Sequence, residues 1–203
     1  HYVVMCTRNG IIKKTCLEAY SRPRQNGINA IGIREGDSLL EAKLTDGHSD
    51  IMIAASSGKA IRSNESKVRP MGRGASGVRG ITLSDKAYVI GMICVNNFES
   101  HVLVVSENGY GKRSDIDAYR QTNRGGKGVK TISITSKTGK LIAIKNVIDS
   151  DGLMIINKSG VMIRMNVESM RVMGRATQGV KLINLKDNDQ ISSVAKVEID
   201  QGD

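Results

Sequence analysis

Four glycines set the frame of this chain. Gly10, Gly58, Gly109 and Gly160 stand 48, 51 and 51 residues apart, and laying the sequence in register on them brings out four copies of one pattern. The first part of each copy reads "YVVMCTRNGIIKKT", "DIMIAASSGKAIRSN", "HVLVVSENGYGKRSD" or "GLMIINKSGVMIRMN". Each holds an apolar run, a glycine turn and a second run with a cation four residues past the glycine: Lys14, Arg62, Arg113 and Arg164. That is the signature of a β-hairpin.

A second glycine follows at Gly27, Gly77, Gly128 and Gly179, then "INAIGI", "VRGITL", "VKTISI" and "VKLINL", whose alternation suits a half-buried strand. A last apolar run closes each copy: "LLEAKL", "YVIGMICV", "LIAIKNV" and "ISSVAKV". Each repeat is thus expected to contribute four short strands, with boundaries near 1–47, 48–98, 99–149 and 150–203. A lone four-stranded sheet cannot bury both faces, so the units must stack as blades of an all-β, propeller-like fold. We expect one domain over 1–203, arranged as an open arc with almost no α-helix.

Between hairpin and third strand runs an arm: "EAYSRPRQNG", "SKVRPMGRGASG", "DAYRQTNRGGKG" and "ESMRVMGRATQG". Arg69, Arg120 and Arg171 precede Arg73, Arg124 and Arg175 by four residues, and the shorter first arm offers Arg22 and Arg24. Two residues past the second glycine stand Arg79, Lys130 and Lys181, with Asn29 in the first copy. The third arm is the densest, joining Arg124, Gly125, Gly126, Lys127 and Gly128. Stacked units bring equivalent residues to one face, so these cations are expected to form a band that binds a polyanion. Glycine there permits close approach of backbone amides to phosphates. A solvated sheet edge, kept charged against edge-to-edge pairing, is the alternative. Tyr20, Val68, Tyr119 and Met170, just before the arms, are expected to anchor them by packing.

The chain has 30 Lys and Arg against 20 Asp and Glu, a formal net charge of +10. With no Trp and a single Phe, Phe98, it lacks the stacking platforms of single-strand and RNA binders, which leaves duplex backbone as the favoured partner. No run approaches the roughly 18–20 apolar residues of a membrane span, and no membrane partner is expected. Cys6, Cys16 and Cys94 show no CxxC spacing and the three histidines are scattered. Buried or half-buried thiols in a reducing cytoplasm fit better than a disulfide or a metal site. The chain enters a strand pattern at once, without a signal peptide, and is expected to be a piece of a longer protein.

"GRGASG" at 72–77 matches G-x-G-x-x-G, but its aligned copies "NRGGKG" and "GRATQG" do not, and a strand pattern follows where a dinucleotide site needs a helix. "GGKGVKT" lacks the G-K-[ST] ending of a phosphate loop. No set of Ser, His and Asp residues forms a recognisable catalytic group, so no catalytic site is expected in this chain.

The arms "RPMGRGASGVRGI" and "RVMGRATQGVKLI", with "ENGYGKRSDIDAYRQTNRGGKGVKTI" between them, resemble the C-terminal domain of bacterial DNA gyrase A, over all four repeats. The resemblance implies a β-pinwheel that exchanges strands between blades. It also implies a basic outer rim that binds and bends duplex DNA without reading sequence, supporting negative supercoiling by the parent ATP-dependent type IIA topoisomerase. Implied partners are double-stranded DNA, the remainder of the gyrase A protein and the gyrase B protein. ATP and Mg2+ would belong to other domains, with no cofactor here, and the place would be the bacterial cytoplasm, at the nucleoid. The family's box reads Gln, a basic residue, Arg, Gly, Gly, any residue, Gly. "TNRGGKG" keeps Arg124, Gly125, Gly126 and Gly128, but has Thr122 and Asn123 in the first two places. Such domains usually have six blades and these repeats resemble the last four, so the chain is expected to begin after the box-bearing blade. The corresponding domain of topoisomerase IV and a propeller serving as a protein-interaction platform are the alternatives.

Overall fold

A computed structural model describes residues 1–198. The first repeat contributes β1 (Tyr2–Thr7), β2 (Ile11–Cys16) and β3 (Leu39–Thr45). The second gives β4 (Asp50–Ala55), β5 (Lys59–Asn64), β6 (Val78–Arg79) and β7 (Val89–Val95). The third gives β8 (His101–Ser106), β9 (Tyr110–Asp115), β10 (Val129–Lys130) and β11 (Leu141–Val147). The fourth gives β12 (Asp151–Asn157), β13 (Met162–Asn166), β14 (Val180–Lys181) and β15 (Ile191–Glu198). Helical structure among the described residues is limited to single 3-10 turns after β2, β5, β9 and β13. The all-β expectation holds.

The central strands are continuous apolar runs buried along most of their length, as β4 (Asp50–Ala55) is throughout. In each repeat a central strand pairs antiparallel with its hairpin partner and with the closing strand, as Val4 does with Lys14 and Lys43. The turn glycines reach φ values of +86 to +90, a region costly for any residue with a Cβ. A bulge breaks the ladder to the closing strand at the same place in every copy, at Cys6/Thr7, Ala54/Ala55, Leu141/Ala143 and Ile156/Asn157. It sits beside the turn, and the extra residue, Leu40, Ile90, Ile142 or Ser192, is on the closing strand, which bends there.

The third strand differs from expectation. "INAIGI" forms no strand, and β6, β10 and β14 are two residues long. The chain beyond them is held by the preceding turn instead: Gly80 and Ile81 both donate to the Gly10 carbonyl, and Leu182 donates to that of Gly109. Alternation survives because Ile81 and Ile183 still bury their side chains. The short strands are exchanged: β6 pairs with β2 and β14 pairs with β9 of the preceding repeat.

The chain divides into two compact units, one of residues 1–55, 60–96 and 121–128, the other of 56–59, 97–120 and, among the described residues, 129–198. In the first, one sheet runs β3-β1-β2-β6 and another contains β5-β4-β7, and Val4, Ile12, Ile51, Ile53, Val68, Ile81 and Met92 build its core. In the second, sheets run β11-β8-β9-β14 and β13-β12-β15, around Leu103, Val105, Leu153, Ile155, Val167, Met170 and Ile183. Exchanged strands meet their hosts by size. A Cβ on Gly80 would lie 3.1 Å from the Ile12 Cβ and 2.7 Å from Ile53 Cδ1; one on Gly111 would lie 2.6 Å from Leu182 Cδ1.

Candidate nucleic-acid interface

The predicted cations fall into three layers. The innermost corrects the sequence reading, because Lys14, Arg62 and Arg113 lie under the arms rather than on an exposed band. Lys14 is 4% exposed; its Nζ donates to the Glu65 carbonyl at 2.8 Å, with Glu65 Oε1 at 3.8 Å. Arg62 Nε donates to Asp50 Oδ2 at 2.7 Å, and Gln121 Nε2 donates to the other oxygen of that carboxylate. Arg113, 6% exposed, donates to the Met170 carbonyl at 2.8 Å and to Asp149. The Arg113 hydrogen bond, then its charge, holds the Asp149 carboxyl below the usual range. The reason for burial is the arm itself. It crosses the second hairpin strand beside each cation, bridging Pro70 to Lys14, Gln121 to Arg62 and Val172 to Arg113. Met71, Thr122 and Met173 then donate their amides to the carbonyls of Lys14, Arg62 and Arg113. Arg164, in the fourth copy, is exposed.

The middle layer is Arg73, Arg124 and Arg175, each partly exposed. These side chains staple an arm to the repeat before it. Arg73 Nη1 donates to the Asn29 carbonyl at 3.1 Å. Arg124 donates from Nε to Lys67 O and from Nη1 to Arg79 O, at 3.1 and 3.0 Å. Arg175 repeats this on Ala118 O and Lys130 O.

The outer layer is open to solvent: Arg22, Arg24, Arg69, Arg79, Arg120, Lys127, Lys130, Arg171 and Lys181 are all exposed. The segments that carry them, 19–34, 66–84, 118–148 and 169–186, contain no Asp or Glu, although the chain has 20. Acids such as Glu18, Asp117 and Glu168, at the first position of three arms, lie just outside these segments.

The arm glycines mainly let backbone meet backbone. A Cβ on Gly77, Gly128 or Gly179 would stand 2.4–2.6 Å from the carbonyl oxygen of Ile12, Ala60 or Gly111, and all three have positive φ. The Gly125 amide donates to the Gly80 carbonyl, and the carbonyls of Gly125 and Gly126 accept from Thr82. Gly125 therefore does not offer its amide to a phosphate, which corrects that part of the sequence reading.

Two residues that hold the arms escaped the sequence reading. Lys13 and Lys112 are 1% exposed, yet their ammonium groups sit inside the arms. Lys13 Nζ donates to the carbonyls of Ala30 and Arg73. Lys112 Nζ donates to those of Gly174, Arg175 and Thr177 and to Thr177 Oγ1. Burial, then the Arg175 charge, brings Lys112 down to about 8; burial, then Arg73, lowers Lys13. The signal was a lysine three residues past the turn glycine in copies one and three, where copies two and four have Ile61 and Ile163.

The anchors behave as expected, with Val68, Tyr119 and Met170 buried and the Tyr20 hydroxyl donating to the Ala30 carbonyl at 2.9 Å. Cys6 is buried, Cys94 half-buried and Cys16 exposed, and burial raises both Cys6 and Cys94 to about 12, which keeps them thiols. No group of three or more metal-ligating side chains occurs among the described residues. No helix there is long and apolar enough to cross a membrane.

Comparison with known proteins decides what scaffold carries these arms. A family model described as "DNA gyrase C-terminal domain, beta-propeller" matches residues 1–46, 49–96, 100–148 and 153–198. The chain belongs to this family. The DNA gyrase A protein of Staphylococcus aureus is 45% identical over 204 residues, covering 100% of this chain and 23% of that protein. The gyrase-type chain thus spans about a quarter of the length of the curated relatives it matches. Its fold is shared with the C-terminal domain of DNA topoisomerase IV, at a TM-score of 0.91 and 24% identity over 97% of this chain and 62% of that one. A DNA gyrase A C-terminal domain gives 0.85 and 24% over 96% and 65%. The β-pinwheel of the gyrase family is the architecture of this chain.

Proposed function

We propose that this gyrase-family domain binds duplex DNA through its arms, without reading sequence, and bends it, so supporting negative supercoiling by a parent ATP-dependent type IIA topoisomerase. The observation that carries the reading is the outer layer: exposed cations recurring at the same steps of successive arms, on segments free of acidic residues. No recognition helix exists among the described residues, so contacts fall on phosphates, which position a duplex but do not specify bases. The remainder of the gyrase A protein, the gyrase B protein, ATP and Mg2+ belong to the parent complex in this reading, in the bacterial cytoplasm.

Fluorescence anisotropy on a labelled duplex at a series of salt concentrations tests it. With about eight phosphates neutralised, affinity falls roughly 10⁴-fold between 50 and 200 mM salt. A salt-insensitive complex, or a strong preference between unrelated duplexes of equal length, overturns the proposal.

A further inference from the structure

We propose that each junction between successive arms is a phosphate seat, formed by the arginine that staples the junction together with a cation of the preceding arm. The pairs are Arg124 with Arg79, Arg175 with Lys130, and Arg73 with Arg24. The inference rests on the DNA-binding reading and adds which groups grip a phosphate together.

The staple creates the pair. Arg124 Nη1 is fixed on the carbonyl of Arg79, so one guanidinium is held a few bonds from the Cα that bears another cation. Arg175 takes the carbonyl of Lys130 in the same way. At the first junction Asn29 occupies the equivalent sequence position, and the second cation comes from the arm itself. There Arg24 and Arg73 line an open depression of about 490 Å³ with Gly27, Ile28, Asn29 and Gly74.

The staples thus anchor Arg124 and Arg175 on residues that bear a second cation, and Arg73 lines one depression with Arg24; like charges so placed repel. A structural pair would have an acid between its members. None of the six cations takes part in an ion pair among the described residues, and the segments 19–34, 66–84, 118–148 and 169–186 that bear them contain no Asp or Glu. Each staple uses one or two of the five guanidinium N–H donors, leaving the rest for an acceptor. An oxyanion with several acceptor oxygens relieves the repulsion and takes those donors. A backbone phosphodiester of duplex DNA fits that chemistry and binds two arms at once.

The seat separates stability from affinity. Arg79→Gln and Lys130→Gln keep the carbonyls that receive the staples and remove one charge of each pair. Each is expected to leave the thermal midpoint of the free chain unchanged or raise it at low salt. Each weakens binding of a random-sequence 20-bp duplex about tenfold and lowers the slope of log affinity against log salt by about one. Lys59→Gln, which removes an exposed charge outside the arms, is the control. In a double-mutant cycle, Arg79→Gln and Arg124→Gln together cost at least about threefold less than the product of their separate losses, because both grip one phosphate. Product-law losses, or Arg79→Gln and Lys130→Gln matching Lys59→Gln, overturn the seat while leaving DNA binding in place. Absence of duplex binding by the unsubstituted chain at 50 mM salt overturns the DNA reading itself.

Discussion

A buried lysine ammonium at the centre of a loop of carbonyls makes the arm's conformation depend on one side chain. Lys112 meets four acceptors, more than its three N–H groups can each serve singly, so the protonated form is the one that fills the site. Burial and Arg175 nevertheless bring its pKa down to about 8 from 10.5. A base lowered on folding binds fewer protons in the native chain, so this group's contribution makes stability rise with pH between about 8 and 10.5. Thermal unfolding across that window measures it, and Lys112→Met is expected to flatten that part of the profile. At pH 7 the same change leaves these part-buried carbonyls without their ammonium donor and destabilises the chain by about 1–3 kcal/mol. Ile61, at the matching step of the second copy, shows the other solution: its Cδ1 lies 3.4 Å from where a Cβ on Gly126 would sit, so that arm closes over an apolar plug.

At the scale of the arm, position four residues apart decides the role of an arginine. Arg69, Arg120 and Arg171 are exposed, and replacing all three by Ala is expected to weaken duplex binding while leaving the thermal midpoint nearly unchanged. Arg175→Ala removes two hydrogen bonds to backbone carbonyls and is expected to cost about 1–2 kcal/mol in chemical denaturation. Arg175→Lys does not rescue it, because a single ammonium lacks the fork that spans Ala118 O and Lys130 O. The sequence showed both arginines in every full-length arm but could not separate them, since spacing records recurrence and not the carbonyl that a side chain meets. It likewise ranked Lys14, Arg62 and Arg113 with the arm cations. Only the crossing of the next repeat's arm, a contact between distant segments, puts them beneath the surface. The hairpins were legible because a short apolar run and a turn glycine are local signals. The brevity of β6 and β14 was not, because their partners lie in another repeat.

For the whole molecule, the proposed DNA-binding function calls for a ligand that is bent as well as held. Bending 20–30 bp by 40–90° costs on the order of 1–6 kcal/mol, which multiple phosphate contacts can offset. Energy transfer between the ends of a short linear duplex is expected to rise on binding, and unchanged transfer in a saturated complex would show docking without bending. The exchanged strands carry a different consequence. Ile12 and Ile11 of β2 await Val78 and Arg79, and at roughly 5–20 residues per second that wait lasts on the order of 3–13 s during synthesis. Throughout it the edge of β2 is a free template, and the near-identical steps "VR", "VK" and "VK" could each pair there. The residue after each step works as a key. Glycine comes next in the second copy and leucine in the fourth; the bulky Ile12 lock admits only the glycine, whereas Gly111 leaves room for Leu182. Gly80→Leu is therefore expected to leave β2 unpaired and lower the thermal midpoint, and adding Ile12→Gly to restore part of the loss. Side-chain volume one residue beyond β6 and β14 thus matches each of these two strands to its host.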